Sequence, residues 1–525
     1  MKKSRNPFTS YFGENKRWRL LSGMIRVGIV ALAVMMQVAL VIFITFTLQE
    51  YSAIAFLLIE VAAAIIALFI ISSPNLNSSS RIAWLFLMIF VPIIGAALYL
   101  LWGNVNIDRR ERGFIEKSFN HGNRFLRNNL QIRKDFQDAY PHWLRLARYL
   151  DECGFPMYQG TDTRYYPLGE LWLEALLEDL EKAEHFIFIE MFIVEDGTFW
   201  RRVFDVLQRK AAQGVKIRFM YDDMGSLLCF SNKDAEYVRS FGIDVQIFNK
   251  VQRNVSSLYI NYRNHQKIVV IDGDVGYVGG SNFADEYANY YPKHGHWKDV
   301  SMRMEGDATW SLTVFFLQMW DLNCKTLTED YDIYRPRQSG QEKGFYVPMV
   351  DGPANNPHNP GLDMYKLLIA NAQDYCYITT PYLVLDSDMV DSLCLAARSG
   401  VDLRIIVPHI PDHWYVHVVT QSFYKILMSV GVRIYEYTPG YIHSKTVLVD
   451  DEIGVIGSIN MDFRSFYLHY EDAVLICDSP ILSDMKEDFL YTIAHSQEIE
   501  LEKWLKRPWP KRFMQMIMRI FAPML

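Results

Sequence analysis

Two segments of the chain repeat one set of polar residues that could act on a phosphate group. Each has a histidine, a lysine two residues later and an asparagine seventeen residues after the histidine: His265, Lys267 and Asn282 in the first copy, and His443, Lys445 and Asn460 in the second. An aspartate stands seven residues after each histidine, at Asp272 and Asp450. Chance rarely preserves so many polar positions at one spacing, so the two segments form an internal repeat.

If the two copies face each other, their side chains form one pocket suited to a phosphodiester. The lysines provide positive charge and the asparagines provide hydrogen-bond donors for phosphate oxygens. These groups would stabilise a pentacoordinate phosphorus without a metal ion. One histidine can attack phosphorus, while the other protonates the leaving alkoxide and later deprotonates the incoming hydroxyl. A surface strand would explain one such His-x-Lys pair, but two matching copies favour a functional site.

The apolar residues between histidine and aspartate, IVVI and TVLV, predict a strand in each copy. Side chains two residues apart share one face of a strand, so histidine and lysine point the same way. Each aspartate lies at the strand's end, beside Gly273 or Asp451, where a hairpin turn is expected. We therefore expect Asp272 and Asp450 to hold the turn rather than to contact substrate.

A nucleophilic histidine needs its second ring nitrogen anchored, and a carboxylate does this well. Matching carboxylates follow the two signatures, Asp299 in HWKDVSMRM and Glu471 in LHYEDAVLI. We predict that they orient the histidines, with surface acids in salt bridges as the alternative. The predicted inner site has two groups that face each other: His265, Lys267, Asn282 and Asp299, and His443, Lys445, Asn460 and Glu471.

Helices and strands alternate before each signature. The helical pattern of GELWLEALLEDLEKAE precedes the strand-like HFIFIEM, and the same order of elements recurs after residue 360. This alternation predicts an α/β fold with a largely parallel or mixed sheet covered by helices. The two halves are two copies of one α/β unit, expected over residues 160–345 and 346–500, after a connector over residues 106–159.

The first 105 residues predict a transmembrane region of two to three helices. Three apolar runs, Val27–Leu48, Ala53–Ile71 and Ile82–Trp102, approach or exceed the length of about 20 residues that crosses a bilayer. Basic residues precede the first run and follow the third, which three full spans cannot place on one side. One run is therefore re-entrant or interfacial, or one basic cluster lies outside; we favour a cytoplasmic catalytic region. Glu60 is either functional or, as we prefer, a protonated or tilted carboxyl.

The C-terminal residues 501–525 combine basic and aromatic residues, a pattern typical of an amphipathic helix in an anionic membrane interface. Docking on the catalytic domain is the alternative. The aromatic insert before His265, residues 255–264, either shapes access to the site or is an ordinary packed loop. A net charge of -7 argues against a dedicated nucleic-acid binder, and six scattered cysteines suggest no zinc site or disulfide framework. We expect neither a metal nor another cofactor.

The doubled HxKxxxxD motif, followed by GGxN or GSxN, resembles the phospholipase D superfamily over residues 160–500. RNHQKIVVIDG, GYVGGSN, HSKTVLVD, RIFAPML and the membrane-embedded N-terminus are similar to bacterial cardiolipin synthases of this type. The resemblance implies two pseudo-symmetric α/β units packed face to face. It also implies the family's catalytic set: His265, Lys267, Asp272, His443, Lys445 and Asp450.

By this resemblance, the enzyme transfers a phosphatidyl group from one phosphatidylglycerol to another and releases glycerol, with cardiolipin as the lipid product. The family usually places the nucleophile in the first copy, here His265, which leaves His443 as general acid and base. A phospholipase D-type hydrolase or phosphodiesterase that uses water is the alternative. A nuclease is disfavoured by the apolar runs, and a non-catalytic scaffold by two complete signatures.

Overall fold

The computed structural model describes residues 35–73, 76–99, 109–250, 262–353 and 358–524. The chain forms two compact units, the first made of residues 1–106 and 519–525 and the second of residues 107–518. The basic tail over residues 1–26, the start of the first apolar run and residues 255–261 of the aromatic insert lie outside the described residues.

The first unit contains a long apolar helix, α1 (Met35–Ser72), which is long and apolar enough to cross a membrane. It includes all of the second predicted run and the described part of the first. A 3-10 turn at Gln49–Tyr51 interrupts it, and Gln49 there has a φ of 38°. The break falls between the two predicted runs, and Glu60 is exposed on the second part of the helix.

The third predicted run, Ile82–Trp102, does not form one straight helix among the described residues. It forms α2 (Ser78–Phe90) and α3 (Pro92–Leu98), separated at Val91. Proline lacks the amide that would continue the helix, and Gly95 has no Cβ to collide with the Leu87 carbonyl. A 13-residue helix rises about 20 Å, less than the bilayer core of about 30 Å. This geometry fits the re-entrant or interfacial alternative.

The second unit begins with three helices and continues with the first α/β half. The predicted connector is therefore folded: Ser118 donates a hydrogen bond of 2.9 Å to the Gln318 carbonyl. The helices up to the end of this half are α4 (Arg109–Asn123), α5 (Leu130–Ala139), α6 (Leu144–Glu152), α7 (Gly169–Lys182), α8 (Thr198–Ala212), α9 (Asp223–Ser226), α10 (Asn232–Arg239) and α11 (Thr309–Cys324).

Seven strands of the first half form one mixed sheet in the order β1-β9-β7-β6-β2-β3-β4, while two short strands, β5 and β8, pair outside it. Strands β2, β3 and β4 are parallel, and the signature strands β6 and β7 form an antiparallel hairpin beside them. Their bounds are β1 (Thr161–Tyr166), β2 (Phe186–Met191), β3 (Lys216–Asp222), β4 (Asp244–Phe248), β5 (Arg263–Asn264), β6 (Ile268–Ile271), β7 (Val275–Gly279), β8 (His296–Lys298) and β9 (Ser301–Gly306).

The second half repeats this sheet with the order β10-β19-β17-β16-β11-β13-β14-β20, in which β20 is an added edge strand. The strands are β10 (Phe345–Asp351), β11 (Tyr375–Thr379), β12 (Leu383–Val384), β13 (Asp402–Pro408), β14 (Arg433–Tyr437), β15 (Gly440–Ile442), β16 (Thr446–Val449), β17 (Ile453–Gly457), β18 (Met461–Asp462), β19 (His469–Cys477) and β20 (Ser496–Glu498). The helices are α12 (Pro360–Asn371), α13 (Ser387–Arg398), α14 (Trp414–Met428), α15 (Phe463–Tyr467), α16 (Ile481–Ala494), α17 (Leu501–Leu505) and α18 (Trp509–Ile520).

The two sheets correspond strand for strand, which confirms the predicted α/β fold and its internal repeat. Strand β7 lies against β17 and β19 of the other sheet, so the signature hairpins meet at the centre of the unit. Helix α11 contacts strands of both sheets, and every side chain from Thr309 to Leu322 is buried. A helix that is apolar on all sides is stable only when it is enclosed in this way.

Asp272 and Asp450 hold the hairpin turns, as strand parity predicts. The Asp272 carboxylate accepts hydrogen bonds from the amides of Glu184, His185 and Phe186 at 2.7, 2.8 and 2.7 Å. Asp450 accepts in the same way from the amides of residues 373, 374 and 375 at 2.7, 3.0 and 2.7 Å. Each aspartate has a positive φ and ties its hairpin to the start of the neighbouring strand.

Replacing either aspartate should therefore destabilise the fold. In Asp272→Asn or Asp450→Asn the carboxylate charge is lost and an amide group faces main-chain donors, which should cost about 2 kcal/mol of unfolding free energy. Thermal unfolding in detergent checks this, with Asp388→Asn on the exposed start of α13 as a control expected to change stability by less than about 0.5 kcal/mol. Equal midpoints for wild type and both variants would contradict the assigned role.

Candidate active site

A short exchanged strand positions the first histidine. Strand β5 leaves the first half and pairs in parallel with β19 of the second, with Arg263 opposite His469 and Asn264 opposite Tyr470. The His265 amide continues the ladder by donating to the Tyr470 carbonyl at 2.8 Å. The next residue of β19 is Glu471, which the pairing brings alongside His265.

The second histidine is positioned by the reciprocal exchange. Strand β15 pairs in parallel with β8 of the first half, with Tyr441 opposite Trp297 and Ile442 opposite Lys298. The His443 amide donates to the Lys298 carbonyl at 2.7 Å, and the residue after Lys298 is Asp299. Both signatures are therefore completed by the opposite half.

Each histidine forms a hydrogen bond with a carboxylate side chain of the other half. His265 Nδ1 donates to Glu471 Oε2 at 2.8 Å, and His443 Nδ1 donates to Asp299 Oδ2 at 2.6 Å. Both carboxylates are completely buried. The structure thus corrects the predicted grouping, in which Asp299 accompanied His265 and Glu471 accompanied His443, because the exchanged strands cross between the halves.

The crossed pairs also explain why one signature reads Gly-Gly and the other Gly-Ser. A Cβ on Gly280 would stand 2.2 Å from Asp299 Oδ1, so the first copy has no room for a side chain there. At the matching position of the second copy, Ser458 Oγ donates to Glu471 Oε2 at 2.5 Å. The serine therefore supports the longer carboxylate.

The two lysines lie against the histidines. Lys267 Nζ donates to the His265 carbonyl at 2.5 Å, and Lys445 Nζ lies 2.8 Å from His443 Nδ1. Burial lowers the pKa of Lys445 to about 7 and lowers that of Lys267 as well. A buried lysine ammonium group has lost its hydration, and the oxygens of a bound phosphate group would replace the lost water. The site therefore favours the binding of an anion.

Groups of both signatures affect the pKa values of the two histidines. Burial, followed by the charge of Lys445, lowers the pKa of His443 to about 4. The pKa of His265 is held well below its usual range by burial and then by Lys267, Lys445 and His443. The lysine of the opposite signature thus lowers the pKa of each histidine, by its positive charge. Both histidines are neutral at pH 7 when no anion is bound.

The two asparagines differ in their contacts. Asn282 Oδ1 accepts from the Ile193 amide at 2.9 Å, and its Nδ2 donates to the Tyr287 hydroxyl at 2.8 Å. The buried Asn460 Oδ1 has no hydrogen-bond partner among the described residues. Asn282 therefore helps to build the wall of the site, and phosphate binding by either asparagine stays a prediction.

Different side chains surround the two histidines, and none of them belongs to the repeated signature. The rings of Tyr287, Trp297 and Tyr441 lie 5.4, 5.5 and 5.9 Å from that of His443. Around His265 lie Phe192 at 4.9 Å and His469 at 5.4 Å. Aligning HWKD with LHYE would have found two of them, since Trp297 and His469 each stand two residues before a nominated carboxylate.

One group of side chains near His265 could approach a cation. The donor atoms of His265, His469 and Glu471 lie within 4.8 Å of one another. Ligands of a single zinc ion lie about 2.0–2.2 Å from the metal, so these side chains would have to move closer together. The absence of a catalytic metal stays a prediction.

Comparisons with known proteins show the family to which the two α/β halves belong. The family described as cardiolipin synthase, PLD-like domain, matches residues 176–290 and 365–493, and a phospholipase D-nuclease N-terminal family matches residues 62–104. A cardiolipin synthase of Geobacillus kaustophilus is 33% identical over 460 residues, which cover 87% of this chain and 91% of the relative. An uncharacterized protein of Streptococcus mutans is 35% identical over 87% of this chain and 99% of its own length.

The chain belongs to the cardiolipin synthase family of phospholipase D-like proteins. It is accordingly a phosphatidyltransferase. A phosphatidylserine synthase of Haemophilus influenzae has the same fold, with a TM-score of 0.55 at 15% identity over 72% of this chain and 98% of that one. The two matched segments contain both signatures, including His265 and His443, and also Glu471. Asp299 lies between the two matched segments.

The lowered pKa of Lys445 predicts a pH dependence for substrate binding. Below about pH 7 this lysine is protonated and attracts the phosphodiester; above it the free enzyme loses that charge, so KM should rise with pH. Lys445→Arg should flatten the rise, because arginine keeps its charge. KM measured between pH 6 and 9 checks this, with Lys182→Met on the exposed surface of α7 as a control. A KM independent of pH in the wild type would refute it.

Proposed function

We propose that the enzyme condenses two phosphatidylglycerol molecules to cardiolipin and glycerol through a covalent phosphatidyl-histidine, without a metal ion. The crossed contacts of His265 with Glu471 and of His443 with Asp299 carry this proposal, because they supply two anchored imidazoles beside two buried lysines. Membership in the cardiolipin synthase family supports the choice of reaction, and the substrate is the one implied by the resemblance.

In the first step His265 Nε2 attacks phosphorus, and its Nδ1–H stays bound to Glu471. The bond between phosphorus and the headgroup glycerol breaks, and the alkoxide takes a proton from His443. The anionic phosphodiester offsets the lysine charges that lower the pKa of His443, so substrate binding favours the protonated imidazole this step requires. Asp299 stabilises that imidazolium.

In the second step a glycerol hydroxyl of another phosphatidylglycerol attacks the phosphatidyl-histidine. His443, now neutral, removes the hydroxyl proton, and His265 leaves phosphorus as a neutral imidazole. The proton given up in the first step is recovered in the second, so the cycle is balanced. Lys267 and Lys445 stabilise the charge on the phosphoryl oxygens in both steps.

We further infer that α1 anchors the chain in the membrane and that the catalytic region lies on the cytoplasmic side. The apolar helix α1 supports membrane attachment, and the family match over residues 62–104 includes part of it. In α18, Trp509, Phe513 and Met516 are 72, 51 and 56% exposed, which supports contact with a membrane interface. The same helix also contacts α14, where Gln515 Nε2 donates to Gln421 at 3.4 Å.

The products decide between transfer and hydrolysis. Purified enzyme with labelled phosphatidylglycerol and a chelator of divalent metals should yield cardiolipin and free glycerol in equal amounts. Phosphatidic acid as the main product would establish the hydrolase instead, and activity that appears only after metal is restored would refute metal independence. His417→Leu on α14, outside the crossed pairs, serves as a control that should keep the wild-type product ratio.

The covalent intermediate tests the assignment of the two histidines. Quenching in denaturing detergent at neutral to mildly alkaline pH should trap a labelled, acid-labile phosphatidyl-enzyme in His443→Ala but not in His265→Ala, because only the nucleophile can carry the adduct. Both variants should lose turnover by at least about 1,000-fold. An adduct that forms in His265→Ala and not in His443→Ala would reverse the two roles.

A further inference from the structure

The two carboxylates that anchor the histidines are held in different ways. In the first half the free oxygen of Asp299, Oδ1, accepts from the next main-chain amide, that of Val300, at 2.8 Å. In the second half the corresponding amide, that of Asp472, donates instead to Ser458 Oγ at 2.9 Å. Glu471 Oε1 therefore lacks the main-chain donor that fixes Asp299.

His469 lies where it can replace this missing donor. Its Nδ1 is 3.5 Å from Glu471 Oε1, and neither atom has a hydrogen-bond partner closer than this among the described residues. His469 is 8% exposed and Glu471 is completely buried, so water cannot readily serve either atom. Two unsatisfied buried polar atoms that face each other indicate an interaction that matters for the position of the carboxylate.

The protonation of His469 follows from its other neighbour. Arg464 Nε donates to His469 Nε2 at 3.3 Å, and an arginine nitrogen can only be a donor. His469 Nε2 is therefore the acceptor, which leaves the proton of the neutral ring on Nδ1, the atom that faces Glu471. Burial lowers the pKa of His469 to about 3, so the ring is neutral at pH 7.

We propose that His469 is a positioning residue that holds Glu471 against the nucleophile His265 by offering its Nδ1–H to Oε1. The contacts then run from Arg464 through His469 and Glu471 to His265. The inference rests on the proposed function, since it takes His265 as the group that forms the adduct. The matching position in the other half is Trp297, so this support exists at one end of the site.

Two substitutions of nearly equal size separate the positioning role from a packing role. Asparagine can place an N–H close to the position of His469 Nδ1, whereas leucine fills the space without a donor. His469→Leu should lower kcat and the rate of adduct formation about tenfold, the effect of about one lost hydrogen bond, with KM within about twofold. His469→Asn should stay within about threefold of the wild type for both rates.

Rapid quenching of single turnovers measures adduct formation, and steady-state assays give kcat and KM. Equal losses in the Leu and Asn variants, or no loss in either, would overturn the positioning role. His417→Leu should leave all three quantities unchanged. If the wild type makes cardiolipin without a detectable adduct, the covalent mechanism fails, while the Leu-to-Asn ratio of kcat still tests the support of Glu471 by His469.

Discussion

The reciprocal exchange of two short strands is the constraint on which the site depends. Each histidine directly follows a short strand of its own half, β5 or β15, and that strand pairs through its main chain with β19 or β8 of the opposite half. The carboxylate that follows in the partner strand must then lie beside that histidine. The pairing is made by backbone groups, so it is the same in both halves although the residue two positions before the histidine is Arg263 in one and Tyr441 in the other.

Within this shared frame the two ends of the site have different chemistry. His443 is enclosed by three aromatic rings, whereas His265 lies near an imidazole and a guanidinium group. A histidine that forms a covalent bond must keep one orientation through two displacements at phosphorus. A histidine that moves a proton to and from glycerol needs a dry pocket more than a long series of polar contacts. The surroundings agree with the roles proposed for the two residues.

Much of this architecture could be predicted from the sequence, because the repeat and strand periodicity are local properties. The α/β order, the hairpin role of Asp272 and Asp450, and the choice of Asp299 and Glu471 as histidine partners all follow from spacing and parity. The crossing of the pairs could not be predicted, since it depends on β5 and β8, strands of two and three residues whose partners are more than a hundred residues away. Pro92 indicated in the sequence that the third apolar run is broken. The sequence did not show that the second helix would pack against the first, which needs the close approach of Gly95 to the Leu87 carbonyl.

The exchange has a consequence for how such a chain could arise. Two identical half-length chains, each with one signature, would form the same crossed contacts as a twofold-symmetric dimer, because an isologous interface makes every contact twice. In that dimer the residue two positions before the carboxylate could not be tryptophan in one half and histidine in the other. Joining the halves in one chain removes this restriction. The difference between Trp297 and His469 is therefore one that a dimer of identical chains could not have.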